Sequence, residues 1–211
     1  MKVWISLLVI YSSFFIWYTD LGGKLSDEEI KSFISQLERN GVQDNIPEDR
    51  ARVFLSSMTK FMKEDSGKQF FMVNIIDMSD NPTFSDGTSA NDSADNLMNK
   101  YMEHMYPELF KRASHPVFFS SAVSDAMDVV GIKNAKVWET AVLMRYQSRR
   151  SFLEIVANPD LLGEHEYKVA ALEKTIAFPA EPELYLGDPR MILGLLLLII
   201  GLAVRPAVKN Y

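Results

Sequence analysis

Residues 137–182 read VWETAVLMRYQSRRSFLEIVANPDLLGEHEYKVAALEKTIAFPAEP, and the fold is decided inside them. Val137–Tyr146 alternates as a strand does. Trp138, Thr140, Val142, Met144 and Tyr146 point one way, while Val137, Glu139, Ala141, Leu143 and Arg145 point the other. The first set has the bulk to lie beneath helices. The second is apolar in the middle, with a carboxylate near one end and a guanidinium near the other. Helical spacing takes over at Arg149–Ala157, Asn158-Pro159 interrupts it, and a further helical stretch runs to about Lys174. Ile176–Pro182 closes the segment with another strand.

Working outward, FFMVNIID (70–77) is short, apolar and rich in branched and aromatic residues, so it reads as a strand, with Asn74 among Phe70, Met72 and Ile76. An acidic loop rich in Ser and Asn covers 78–93. A helix then runs through about Ala113, with Leu97, Tyr101, Met105 and Leu109 on one face. Pro116 opens the strand VFFSSAV, and a turn around Gly131 leads back to Val137. The order β-α-β-β-α-β is that of the α+β ferredoxin-like unit. Such a sheet carries helices on one side only and must hide its second face, most simply against a copy of itself. Two facing sheets would enclose a pocket lined by groups such as Asn74, Glu139 and Arg145.

Upstream, Ser26-Asp27-Glu28-Glu29 has capping-box spacing, and Ile30, Phe33, Ile34 and Leu37 form one helical stripe that Gly41 is placed to end. Pro47 opens a second helix with the stripe Ala51, Phe54, Leu55, Met58, Phe61 and Met62. Residues 24–66 therefore read as a helical stalk or cover for a sheet domain at 67–182.

Two apolar blocks flank all of this. VWISLLVIYSSFFIWYT (3–19) carries no charge and no small-x-small cleavage site follows it; MILGLLLLIIGLAV (191–204) is apolar all round between Arg190 and Arg205. They read as an N-terminal transmembrane anchor and a short C-terminal transmembrane helix. Lys2, Arg205 and Lys209 at the outer ends place both termini in the cytoplasm of a bacterium, with residues 20–190 outside the inner membrane and the lipid bilayer as a partner. The 211 residues carry 22 basic against 28 acidic side chains, an acidic balance that excludes a phosphate-neutralising nucleic-acid binder. No cysteine is present, which excludes disulfides, thiolate metal sites and a cysteine nucleophile.

The segments GKQFFMVNIIDM (67–78), YMEHMYPELFKRASHPVFF (101–119) and 137–182, above all the pattern YxSRRxFLE followed by KxAALExTxAFPxEP, resemble an uncharacterised bacterial branch of the dimeric α+β-barrel superfamily. The resemblance spans about residues 24–182. It implies ferredoxin-like protomers paired sheet to sheet as a homodimer. The superfamily includes cofactor-free monooxygenases, isomerases and haem-dependent enzymes, and this branch brings no catalytic motif.

The candidate chemistry is sparse. His104, His115 and His165 lack the spacing of a metal site, and the five aspartates Asp77, Asp80, Asp86, Asp92 and Asp95 do not fit a calcium loop, so neither metal nor cofactor is expected. Tyr146, Arg149 and Arg150 form the best cluster. Two guanidiniums at the start of a helix oppose its dipole and call for a compensating anion, either a carboxylate such as Glu154 or an acidic ligand. The expectation is a membrane-tethered dimeric binding or accessory module that takes a small, partly apolar molecule through Asn74, Glu139, Arg145, Tyr146 and Arg149. A cofactor-independent monooxygenase or isomerase acting on a lipophilic substrate, and a subunit of a larger membrane complex, are the alternatives.

Overall fold

The computed structural model describes the backbone of residues 2–40, 48–161 and 163–208, and the side chains of all these except 48–50 and 205–208. The expected stop at Gly41 and the helix start at Pro47 lie outside the described residues. Helices α1 (Lys2–Tyr18), α2 (Asp27–Arg39) and α3 (Glu48–Lys63) precede strand β1 (Phe70–Met78). Helix α4 (Ala94–Lys111), strands β2 (His115–Ser121) and β3 (Thr140–Tyr146), and helix α5 (Arg149–Val156) follow. A single 3-10 turn at Pro159–Leu161, helix α6 (His165–Ala171), strand β4 (Leu172–Ala180) and helix α7 (Pro189–Val208) complete the chain.

The four strands form one antiparallel sheet in the order β2-β3-β1-β4, the ferredoxin-like arrangement. Among the boundaries that differ from the sequence reading, strand β2 ends at Ser121 rather than Val123. Strand β3 starts at Thr140 rather than Val137, and β4 starts at Leu172, inside the stretch expected to be helical. Both ends are set by partners across the sheet: Ile76 pairs with Thr140, and Asp77 with Lys174. Cross-strand pairing overrides the helical spacing of KVAALEK.

The chain divides into two compact units, Gly22–Glu181 and Met1–Leu21 with Pro182–Tyr211. In the first unit the even-numbered residues of β1 and β3 face the helices. Phe70 stacks on Tyr146 at 5.2 Å, and Phe152 of α5 meets both rings edge-on at 5.7 and 5.0 Å. Met105 and Leu109 of α4 close this cluster. Each large side chain buried there contributes ~1.5–3 kcal/mol, and each aromatic pair ~0.5–1.5 kcal/mol more. Ser26 and Glu29 form the expected capping box at the start of α2. Ile30, Phe33 and Leu37 then pack with Met58 and Met62 of α3 against Leu153 and Ala157, so the helical pair covers α5.

In the second unit α1 and α7 pack on each other. The Trp4 ring lies over Gly201, where an added Cβ would come within 2.5 Å of it, and Tyr11 lies over Gly194. Tyr18 is buried, with the Arg190 guanidinium 5.6 Å from its ring centre. The transmembrane reading of 3–19 and 191–204 is corrected here: among the described residues no helix is long and apolar enough to cross a membrane. The reason is length. The 17 residues of α1 reach about 25 Å, and the uninterrupted 14-residue run in α7 about 21 Å, against ~30 Å of hydrocarbon. The two-span inner-membrane placement, with residues 20–190 outside, falls with it, and nothing in the structure supports the bilayer as a partner.

Candidate functional site

The odd-numbered residues of β1 define the face of the sheet that the helices leave open. Register sets Phe118, Leu143, Val73 and Phe178 side by side across all four strands. The adjacent row is Ser120, Ala141, Ile75 and Ile176. None of these side chains belongs to the apolar clusters beneath the helices, and Phe118 and Phe178 are exposed. The result is an apolar band running edge to edge.

Polar groups border the band at its two ends. At one end Arg145, wholly buried, donates from Nε to Gln69 Oε1 at 2.7 Å and from Nη1 to the Ala113 carbonyl at 2.5 Å. Ala113 sits in the left-handed region (φ 47°), where the chain reverses between α4 and β2, a conformation that costs a non-glycine residue about 1–2 kcal/mol. The buried guanidinium therefore satisfies the carbonyl of a strained turn. At the other end Glu139 accepts from the Met78 amide at 3.3 Å, and Lys174 pairs with Asp77 at 3.1 Å beneath the Trp138 ring. Glu139, just before β3, and Arg145 within it stand about 20 Å apart along the chain.

Asn74 and Tyr146 lie elsewhere. Asn74 pairs with Val142, which puts it on the helix-covered face, where its amide donates to the Met72 carbonyl at 3.0 Å. The expected position on the pocket face does not hold, because the register links even residues of β1 to even residues of β3. Tyr146 packs under the helices, and burial pushes its phenol well above the ordinary tyrosine range. Trp138, expected beneath the helices, lies outside β3, and its indole donates to the Ala135 carbonyl at 2.8 Å.

The two arginines at the head of α5 find their anions within the protein. Arg149 lies 4.6 Å from the Phe61 ring centre, donates to the Phe61 carbonyl and to Glu181 Oε1 (2.9 Å), and places Nε 3.5 Å from Asp65. Burial acts to raise the Glu181 carboxyl, but hydrogen bonds from Ser66 and Arg149 leave it lowered. Arg150 forks onto Glu29 at 2.7 and 3.3 Å, and holds that carboxyl down to about 2. Glu154, the expected partner, takes Arg112 instead, at 2.7 Å.

A further group of titratable side chains lies on the helical side. Tyr101, pushed up to about 12 by burial, meets His165 edge-on at 6.1 Å and has Lys168 Nζ 5.7 Å from its ring centre. Burial lowers both His165 and Lys168. Sequence reasoning treated Tyr101 as core and passed over Lys168, since only the packing of α6 on α4 brings them together. Among the described residues no group of three or more His, Cys, Asp or Glu side chains could hold a metal ion.

No protein-family model matches the chain, and no curated protein matches it. Among solved structures it is similar to a protein of unknown function from Rhodopseudomonas palustris, with a TM-score of 0.51 and 15% identity over 62% of this chain and 94% of that one. The methylated form of that protein gives 0.52 and 16% over 63% and 93%. A dimeric protein of unknown function and ferredoxin-like fold from Bacteroides fragilis gives 0.33 and 9% over 54% and 96%, too distant a backbone to bear on this chain. The first two likenesses concern the fold alone.

Proposed function

We propose that the chain is a homodimeric binding module in which two sheets face each other through their open sides. The observation that carries this reading is the unbroken apolar row Phe118, Leu143, Val73 and Phe178, with the next row almost as apolar. Apolar surface crossing a whole sheet calls for a partner surface of the same kind, and a two-fold pairing supplies one from the same chain. The space between the sheets would then be apolar in its middle, with Glu139 and Arg145 as its polar limits, and would suit a small, partly apolar molecule. Tyr146, Tyr101, His165 and Lys168, whose protonation burial displaces, lie on the helical side, away from that space. This favours binding over acid–base catalysis at the open face.

Sedimentation of the full chain and of Leu143→Asp tests the pairing. Leu143 is only partly buried within one protomer, so the substitution places a carboxylate at the centre of the proposed interface rather than in the protomer core. The expected result is a dimer for the natural chain and a folded monomer for the variant. A natural chain that remains monomeric at tens of micromolar refutes the reading.

A further inference from the structure

The connection between β2 and β3 is 18 residues long, 122–139, and carries no helix or strand of its own. Loops of this length in a compact domain usually have a use. It is also an ordered arm. The Ala122 amide donates to the Glu139 carbonyl at 2.7 Å and the Ala126 amide to the Lys136 carbonyl at 2.8 Å, so its two limbs run paired. Asp125 and Lys136 bridge them at 3.3 Å. Gly131 (φ 75°) and Asn134 (φ 53°) supply the left-handed residues that turn the tip.

The side chains on this arm are of the wrong kind for a solvated loop. Val123, Met127 and Val130 are 98%, 94% and 81% exposed, and Val129, Ile132 and Val137 are exposed as well. The open face of the sheet, by contrast, is mostly half-buried within the protomer, with only Phe118 and Phe178 standing out. Four strands at a spacing of ~4.8 Å and about six residues of length give that face a footprint of roughly 400 Å². A stable pairing buries ~800 Å² on each partner. The sheet face alone falls short, and the arm, which springs from the same two strands beside the Ser120 and Ala141 row, holds the missing apolar surface.

We infer that the 122–139 arm is a clasp that docks on the second copy of this chain, its Val123, Met127 and Val130 side chains packing against the partner. The inference rests on the face-to-face reading and names the surface that completes it. A paired, pre-shaped arm loses little freedom on docking, which is what makes a small sheet face sufficient.

The absence of cysteine allows a direct test on the full chain. Met127→Cys on the arm and Ser120→Cys on the open face each receive one thiol-reactive photocrosslinker, and isotopically light and heavy copies are mixed before irradiation. Light–heavy products from both positions are expected. A light–heavy product from Ser120→Cys but none from Met127→Cys overturns the clasp and leaves the face-to-face pairing standing. A product from Met127→Cys alone keeps the clasp and overturns the facing sheets. Products confined to one copy, or capture only of other proteins when the labelled chain is irradiated in cell extract, overturn the clasp. As a second measurement, Val130→Asp, which is wholly outside the protomer core, is expected to raise the dimer dissociation constant at least tenfold, and an unchanged constant refutes the docking.

Discussion

Replacing Glu29 by Gln removes a charge while leaving an acceptor for the α2 cap, and the structure fixes what that costs. The carboxylate receives the Ser26 amide at 2.8 Å and the Arg150 fork at 2.7 and 3.3 Å. Its pKa falls from 4.5 to about 2, with the Arg150 hydrogen bond the largest cause. At 1.36 kcal/mol per unit that shift has a ceiling of about 3.4 kcal/mol. The Glu29 side chain is 35% exposed, so solvent screening cuts the figure to about 1 kcal/mol. Glu29→Ala also removes the cap, for a total of about 2 kcal/mol. The sign follows from the depressed folded-state pKa. The stabilisation is complete above the unfolded value near 4.5 and is lost as pH falls from there through about 2. Urea unfolding followed by far-ultraviolet circular dichroism should therefore separate the natural chain from Glu29→Gln at pH 7, with most of the gap gone at pH 2.5. In a double-mutant cycle, Arg150→Met and Glu29→Gln should fall short of additivity by about the same 1 kcal/mol. A loss undiminished at pH 2.5, or strictly additive losses, would show that the ion pair does not tie α2 to α5.

Arg145→Met leaves the Ala113 carbonyl and Gln69 Oε1 without their buried donor, and should cost about 2–4 kcal/mol, read as a lowered urea midpoint. A loss below about 1 kcal/mol would mean that the turn at Ala113 does not depend on the guanidinium. Gly67→Ala puts a Cβ at φ 74° and 3.0 Å from both the Gly23 carbonyl carbon and the Lys24 nitrogen. It should cost about 1–3 kcal/mol in thermal or urea unfolding, and an unchanged midpoint would mean the Asp65–Gly67 turn relaxes freely.

The element order was legible because each element declares itself: FFMVNIID by its short run of branched and aromatic residues, Val137–Tyr146 by two-residue alternation, and α2, α4 and α5 by stripes of three to four. What was not legible depended on partners far along the chain. Leu172–Ala180 became strand from its second residue before Lys174 because β1 lies beside it, although the residues up to Lys174 carry helical spacing. Arg149 and Arg150 plainly needed anions, yet Glu181 and Glu29 lie 32 and 121 residues away, and nothing local prefers them to Glu154. Asn74 changed face for the same reason, since alternation orders a strand's residues into two sets without saying which set the neighbouring strand turns to the helices.

Hydropathy has a related blind spot, and it acts in opposite senses at the ends and in the middle of this chain. An apolar block announces that its surface must be covered but not by what. In 3–19 and 191–204 the apparent answer was a bilayer, whereas the structure has α1 and α7 covering each other in part, through Trp4 on Gly201 and Tyr11 on Gly194. In SDAMDVVGIKNAK (124–136), between the expected strand ends at Val123 and Val137, the apolar residues follow neither period and are diluted by Asp, Lys, Asn and Gly, so they read as a turn around Gly131. Only the paired limbs, which hold Val123, Met127 and Val130 away from the protomer core, make the segment a surface. Where periodicity is absent, burial is the quantity that separates a spacer from a contact, and burial exists only once the chain has folded.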